Sequence, residues 1–207
     1  MIKGVIFDMD GVLIDAKEWH YESLNKALRL FGFEINHNDH INQFDGLPTK
    51  KKLELISSVS NLPISLHQFI NSLKQIYTME FVYNKCKPNF LHENALRSLK
   101  NDNYKIGLAS NSVRESVNLM LKKACLIEYF DIILSNEDVE KPKPNPEIYQ
   151  VAIDRLGLKP SEVLVIEDNI NGIESAKSAG AHLLIVKNVN EVNIDHIRNK
   201  ITMLNTI

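Results

Sequence analysis

Apolar positions in this chain follow two periods. Val5, Ile6 and Phe7 form a short continuous run, and comparable runs recur as KIGLA (105–109), DIIL (131–134), VLVI (163–166) and HLLIV (182–186). Short apolar runs without alternation predict strands buried on both faces, the habit of parallel sheets. Between them the spacing changes to three and four residues and predicts helices. Leu91, Ala95, Leu96 and Leu99 mark one, and Val113, Val117, Leu121 and Ala124 a second. Ile148, Ala152 and Leu156 mark a third, running from about Pro146 to Gly157, and Ile170, Ile173 and Ala176 a fourth that ends at Gly180. Strands alternating with helices argue an α/β fold with a mostly parallel sheet covered on both faces.

One block breaks this alternation. After Asp15 the chain reads as helical for about seventy residues, with no convincing strand. His20, Leu24, Ala27, Leu28 and Phe31 share a helical face that stops at Gly32; Leu53, Ile56 and Val59 suggest a helix after Pro48. Phe69, Ile70, Leu73, Ile76 and Tyr77 suggest another, with Ser65 as its candidate N-cap. The block ends where Pro88 interrupts helical continuation. The expected organisation is therefore a core made of 1–14 and 87–207, and a helical insertion at 15–86. The asparagine-rich tail after Val186 carries no pattern that predicts its structure.

Composition narrows the function classes. With 24 Lys+Arg against 26 Asp+Glu and a formal charge of −2, there is no basic excess to suggest nucleic acid as a partner. A hydrophobic content of 44% over 207 residues can fill a sizeable core without staples. Cys86 and Cys125 lack metal-ligand spacing and read as free, buried thiols of a reducing compartment. No basic segment with a cleavage site precedes the first strand, and no apolar run approaches membrane-spanning length, so the expectation is a soluble cytoplasmic protein with no membrane partner. The oligomeric state is left open, a monomer being compatible.

The polar residues that follow the strands carry the chemistry. In VIFDMDGVLID, Asp8 and Asp10 lie two residues apart at the end of the first strand and so can present two carboxylates to one point, with Gly11 letting the backbone turn. Two such anions call for a cation, although a turn in which both only cap backbone groups is the competing reading. Ser110 and Asn111 follow KIGLA, Lys143 lies beyond DIIL, and Glu167 and Asp168 follow VLVI. All fall at carboxyl ends of strands, where open α/β sheets place their ligand crevice. Singly, each has an ordinary alternative: Ser110 or Ser112 as an N-cap, Lys143 as a solvated lysine, Glu167 and Asp168 as helix-start acids. Together they are the inventory that holds a divalent cation beside a phosphoryl group.

DMDGVLID, LASNS, KPNPEIY and VIEDNINGIESAKSAG, in that order and from Val5 to about Val186, resemble the four motifs of the haloacid dehalogenase-like superfamily, in the branch with a helical cap inserted after the first motif. The resemblance implies a Rossmann-like three-layer core with an α-helical cap, and phosphoryl transfer dependent on Mg²⁺. By it, Asp8 is the nucleophile and Asp10 the general acid/base, which also lends its backbone carbonyl to the metal. Ser110, Asn111 and Gly11 bind phosphoryl oxygens, Lys143 offsets charge, and Asp168 with Glu167 completes the metal site. Lys141 competes with Lys143, but KPNPEIY matches the motif more fully.

The cap segment DAKEWHYESLNKAL, including His20, resembles β-phosphoglucomutases, whereas Thr49 and Val113 stand where those mutases carry cations. Lys50, next to Thr49, is a candidate substitute. The expectation is hydrolysis of a small phosphomonoester, a sugar or related metabolite phosphate, with a sugar phosphomutase as the alternative and a non-catalytic protein of the same fold less favoured.

Overall fold

The computed structural model describes residues 1–206, and for Ile41 and Asn42 only the backbone. In chain order the elements are β1 (Gly4–Phe7), α1 (Lys17–Arg29), α2 (His37–Asp39), α3 (Thr49–Ser60), α4 (His67–Lys85) and α5 (Phe90–Asn101). There follow β2 (Lys105–Ala109), α6 (Arg114–Lys123), β3 (Ile132–Leu134), α7 (Glu147–Leu156), β4 (Val163–Glu167), α8 (Ile170–Ser178), β5 (His182–Ile185) and α9 (Ile194–Asn205). The chain divides into two compact units, Met1–Asp15 with Lys87–Ile207, and Ala16–Cys86. Among the described residues no helix is long and apolar enough to cross a membrane.

In the first unit the five strands pair in the order β3-β2-β1-β4-β5, every pair parallel. The register sets Ile6 beside Gly107 and Val165, so these positions share one face. On that face Ile6, Ala109, Leu134 and Val165 pack with Ile148, Tyr149, Ala152 and Ile153 of α7 and Ala176 of α8. The opposite face carries Val5 and Phe7, whose ring meets Phe130 edge-on with centroids 6.4 Å apart. Both faces are covered, which is why the strands read as unbroken apolar runs.

In this unit the expectations for Leu91, which is 40% exposed, and for Ile170 and Cys125 fail. Ile170 is 63% exposed, because α8 buries Gly172, Ile173, Ser175 and Ala176 instead. Cys125 is free but exposed, at a left-handed position with φ 58° after α6, while Cys86 is free and buried. The tail that carried no pattern forms α9, started by Asn193, whose side chain accepts the His196 N–H, and it packs on α5. Its apolar residues Ile194, Ile197 and Ile201 were present at helical spacing but diluted among asparagines.

The helical unit packs α1 against α4 around Tyr21, Leu24, Leu28, Phe44, Leu53, Ile56 and Ile70. Asn25 is buried there with both ends of its amide paired, since its side chain bonds both the N–H and the C=O of Ile35, at 2.9 and 2.8 Å. The predicted stripe of α4 is displaced. Its buried line is Ile70, Lys74, Thr78 and Val82, two of them polar, while Phe69 and Ile76 are 55% and 56% exposed. Ser65 sits in a preceding 3₁₀ turn and Leu66 is the N-cap of α4. Val59 of α3 is also exposed.

His40, in the wide turn after α2, is buried against the Tyr21 ring with centroids 4.9 Å apart. Burial first, and then Lys52, push its pKa down from 6.5 to about 4, against smaller opposing effects of Asp45 and Glu18. In that window the unfolded chain holds a proton that the folded chain does not. Stability is therefore complete above pH 6.5 and lost as pH falls through about 4, by at most about 3 kcal/mol. Thermal melts at pH 7 and pH 5 should show a smaller drop for His40→Gln than for the wild type; equal drops would assign the acid sensitivity to another group.

Candidate active site

The register that pairs Phe7 with Leu108 and Ile166 brings the next residues, Asp8, Ala109 and Glu167, side by side where β1, β2 and β4 end. Asp8 continues the ladder, its N–H donating to the Ile166 carbonyl at 3.0 Å. Beyond it the chain folds tightly. The N–H groups of Val12, Leu13 and Ile14 all reach the Met9 carbonyl, and Gly11 adopts φ 91°, a left-handed value that a side chain would strain. The turn reading for Asp8 and Asp10 thus holds for the backbone but leaves their carboxylates for other partners.

Lys143 is the hub. Its ammonium, 4% exposed, lies 2.6 Å from Asp8 Oδ1, 2.7 Å from Glu167 Oε1, 2.8 Å from the Ala109 carbonyl and 2.9 Å from the Tyr149 hydroxyl. Four acceptors share three N–H donors. Tyr149 donates its own proton to Glu167 Oε1 at 2.6 Å, and burial, then Glu167, raises its pKa well above the usual phenol range. Burial acts to lower the pKa of Lys143, but Asp8 and Glu167 outweigh it and hold the ammonium charged. Lys141 is exposed, with its backbone N–H on Glu147 Oε2, so the buried lysine is Lys143.

Glu167 is spoken for on both oxygens: Oε2 accepts the N–H groups of Asp168 and Asn169 at 3.1 and 3.4 Å. Asn169, rather than either acid, supplies the side-chain cap of α8. Asp8, Glu167 and Asp168 nevertheless each place a carboxylate oxygen within 4.8 Å of the others. Burial, and then Glu167, raise the Asp8 pKa well above the carboxylate range, despite Lys143. One lysine does not balance this concentration of acid, and an all-oxygen donor set suits a hard divalent cation.

Neither Ser110 nor Ser112 caps α6. Val113 occupies the N-cap and its side chain makes no cap bond. Ser110 is buried and its Oγ accepts the Ser112 N–H at 3.0 Å, while the Ser112 hydroxyl donates to Asp10 Oδ2 at 2.7 Å. Asn111 reaches across to Lys143, accepting its backbone N–H at 3.1 Å and donating to its carbonyl at 3.4 Å. Its side chain thus clamps the lysine loop to the loop after β2.

Of the residues singled out from sequence, Asp8, Asp10, Gly11, Ser110, Asn111, Lys143, Glu167 and Asp168 all lie at this edge of the sheet. His20 and Lys50 belong to the helical unit. There His20 Nδ1 lies 3.1 Å from the ammonium of Lys74, a buried lysine that apolar periodicity passes over. Lys50 lines a groove of about 650 Å³ with Leu53, Glu54, Ser57, Ile64 and His67. Tyr149 was missed because it reads as one more apolar position of α7. In the sequence Ser112 reads only as a cap, and nothing in the apolar pattern marks Gly172.

Residues 5–186 match the family model described as haloacid dehalogenase-like hydrolase. The chain belongs to that family. It is 30% identical over 182 residues to a phosphorylated carbohydrates phosphatase of Thermotoga maritima, covering 86% of this chain and 82% of that protein. It is 29% identical over 190 residues to the pyrophosphatase PpaX of Bacillus cereus, covering 86% and 80%. A crystal structure of β-phosphoglucomutase from Clostridium difficile superposes with a TM-score of 0.85 at 24% identity, covering 100% of both chains. The family resemblance and the Rossmann-like core are therefore established, and the chain is a phosphatase- or mutase-type enzyme of this family.

Proposed function

We propose that this haloacid dehalogenase-like hydrolase is a Mg²⁺-dependent phosphatase that hydrolyses a small phosphomonoester, a sugar or related metabolite phosphate, through an aspartyl phosphate on Asp8. The observation that carries the reading is the Lys143 hub set against an excess of carboxylates at the strand ends. A carboxylate attacks an anionic phosphate only when cations mask the repulsion.

Asp8 and Asp168, with the backbone carbonyl of Asp10, would hold Mg²⁺, while Glu167, its oxygens already committed, orients Lys143. When bound, the metal supplies positive charge at the transferring phosphoryl group. An Asp8 oxygen attacks phosphorus as the bond to the leaving oxygen breaks, and Asp10 gives that oxygen a proton. Water then attacks the phosphorus of the aspartyl phosphate, Asp10 takes its proton, and the Asp8 carboxylate is released with inorganic phosphate. Lys143 holds Asp8 in place throughout, and Ser110 and Asn111 at the loop after β2 offer donors to phosphoryl oxygens.

Hydrolysis is favoured over mutation of a sugar phosphate by the missing cations at Thr49 and Val113, and by the phosphatase activity named for the Thermotoga relative. The test uses 4-nitrophenyl phosphate and β-glucose 1-phosphate, the latter with a trace of the 1,6-bisphosphate. Phosphate release should need Mg²⁺ and vanish in chelator; turnover undiminished in chelator would rule out the site as drawn. Glucose 6-phosphate formed far faster than free phosphate would reassign the enzyme as a mutase.

A further inference from the structure

We propose that Ser112 is a positioning residue that sets the direction of the Asp10 carboxylate for proton transfer to the leaving oxygen, an inference that rests on the phosphatase reading. The contact is short and well defined, the hydroxyl donating to Asp10 Oδ2 at 2.7 Å across 102 residues of chain. Both ends of it are anchored. On one side, the Gly11 turn and the bridge between Asp10 and Ile14 fix the backbone at Asp10. On the other, the Ser112 N–H donates to Ser110 Oγ at 3.0 Å and its carbonyl accepts the Asn136 N–H at 3.2 Å, so the residue cannot rotate without losing both. A rigid backbone on each side makes the hydroxyl a fixed donor and restricts the torsion that aims the carboxylate. Val113 occupies the N-cap of α6, so capping does not account for a serine at 112.

A phosphate-binding role and an acid-positioning role make opposite predictions. If Ser112 only held phosphoryl oxygens, its loss would affect every phosphate ester alike. If it aims Asp10, its loss lowers kcat/KM only where the leaving oxygen needs a proton, because the later step in which Asp10 takes the proton of water follows leaving-group departure and enters kcat alone. General acid catalysis contributes typically 10²–10⁴-fold, and misdirecting rather than removing the acid should forfeit about 10- to 100-fold. Ser112→Ala should therefore lower kcat/KM for glucose 6-phosphate, an alkyl ester, by about 10- to 100-fold, and for 2,4-dinitrophenyl phosphate by less than about threefold, since that leaving group departs unprotonated.

Ser112→Thr keeps the hydroxyl and should return the ratio of the two kcat/KM values to near wild type, with melting temperatures followed for both variants. Should the alanine variant melt early, the ratio in the threonine variant and the wild type, set against Ser112→Gly, gives the same discrimination. Equal losses on both esters, or no loss on either, would overturn the positioning role while leaving the phosphatase reading intact. Absence of phosphate release from either ester by the wild type would instead remove the phosphatase reading, and this inference with it.

Discussion

Asp8→Asn should abolish phosphate release, by at least about 10⁴-fold, and leave no acid-stable phosphoenzyme. The substitution is nearly isosteric, so Lys143 keeps an oxygen acceptor where Asp8 Oδ1 stood at 2.6 Å. What disappears is the nucleophile. Folding should not suffer, because Asp8, Glu167 and Asp168 crowd three carboxylate oxygens within 4.8 Å and removing one charge relieves repulsion. In chelator the variant should melt at or above the wild-type temperature, with a gain of about 1 kcal/mol, the usual direction when a strained functional site is neutralised. Added Mg²⁺ should raise the wild-type melting temperature and that of the variant much less. Phosphoenzyme trapped equally from both proteins would mean that another residue is the nucleophile. A variant that melts well below wild type would mean that the Asp8 to Lys143 pair is structural first.

How much of this was legible in the sequence depends on what each residue does. The five strands could be read because a sheet covered on both faces demands unbroken apolar runs, which the central strands β1, β2 and β4 obey most closely, while the edge strands β3 and β5 keep the apolar run but are only partly buried, Ile185 being 52% exposed. The acids and Lys143 could be read because they follow strand ends within motifs of fixed order. The helical unit was less legible, since its contacts mix chemistry: α4 buries Lys74 and Thr78 where an apolar stripe was expected, and leaves Phe69 and Ile76 outside. Tyr149 shows the limit most clearly. Its ring belongs to the apolar face of α7 and packs with Ile148 and Ala152, yet its hydroxyl joins the Lys143 hub. Periodicity reports the ring and is silent about the oxygen.

Gly172→Ala should be severely damaging for a single added methyl group. A Cβ at that position of α8 would lie 1.7 Å from Glu167 Oε1 and 2.0 Å from its Cδ, so one of the two must move. The end of a glutamate is ordinarily free to swing aside, but this one is not. It accepts from Lys143 and Tyr149 on one oxygen and from two backbone N–H groups on the other, and it is buried. Displacing it strips the buried ammonium of one of its two carboxylate partners, and breaking a buried pair typically costs about 3–5 kcal/mol. Lys143 would then hold Asp8 less firmly, and misplacement of about 1 Å at a reacting group costs on the order of 10²-fold in rate. The steric cause can be separated from a general intolerance of alanine in α8 by a double-mutant cycle with Glu167→Ala. In the Glu167→Ala background the three atoms nearest the added methyl are gone, so Gly172→Ala should no longer destabilise, and helix propensity favours a gain of up to about 1 kcal/mol. The same cost in both backgrounds would show that the glycine is required by the helix and not by the glutamate it makes room for.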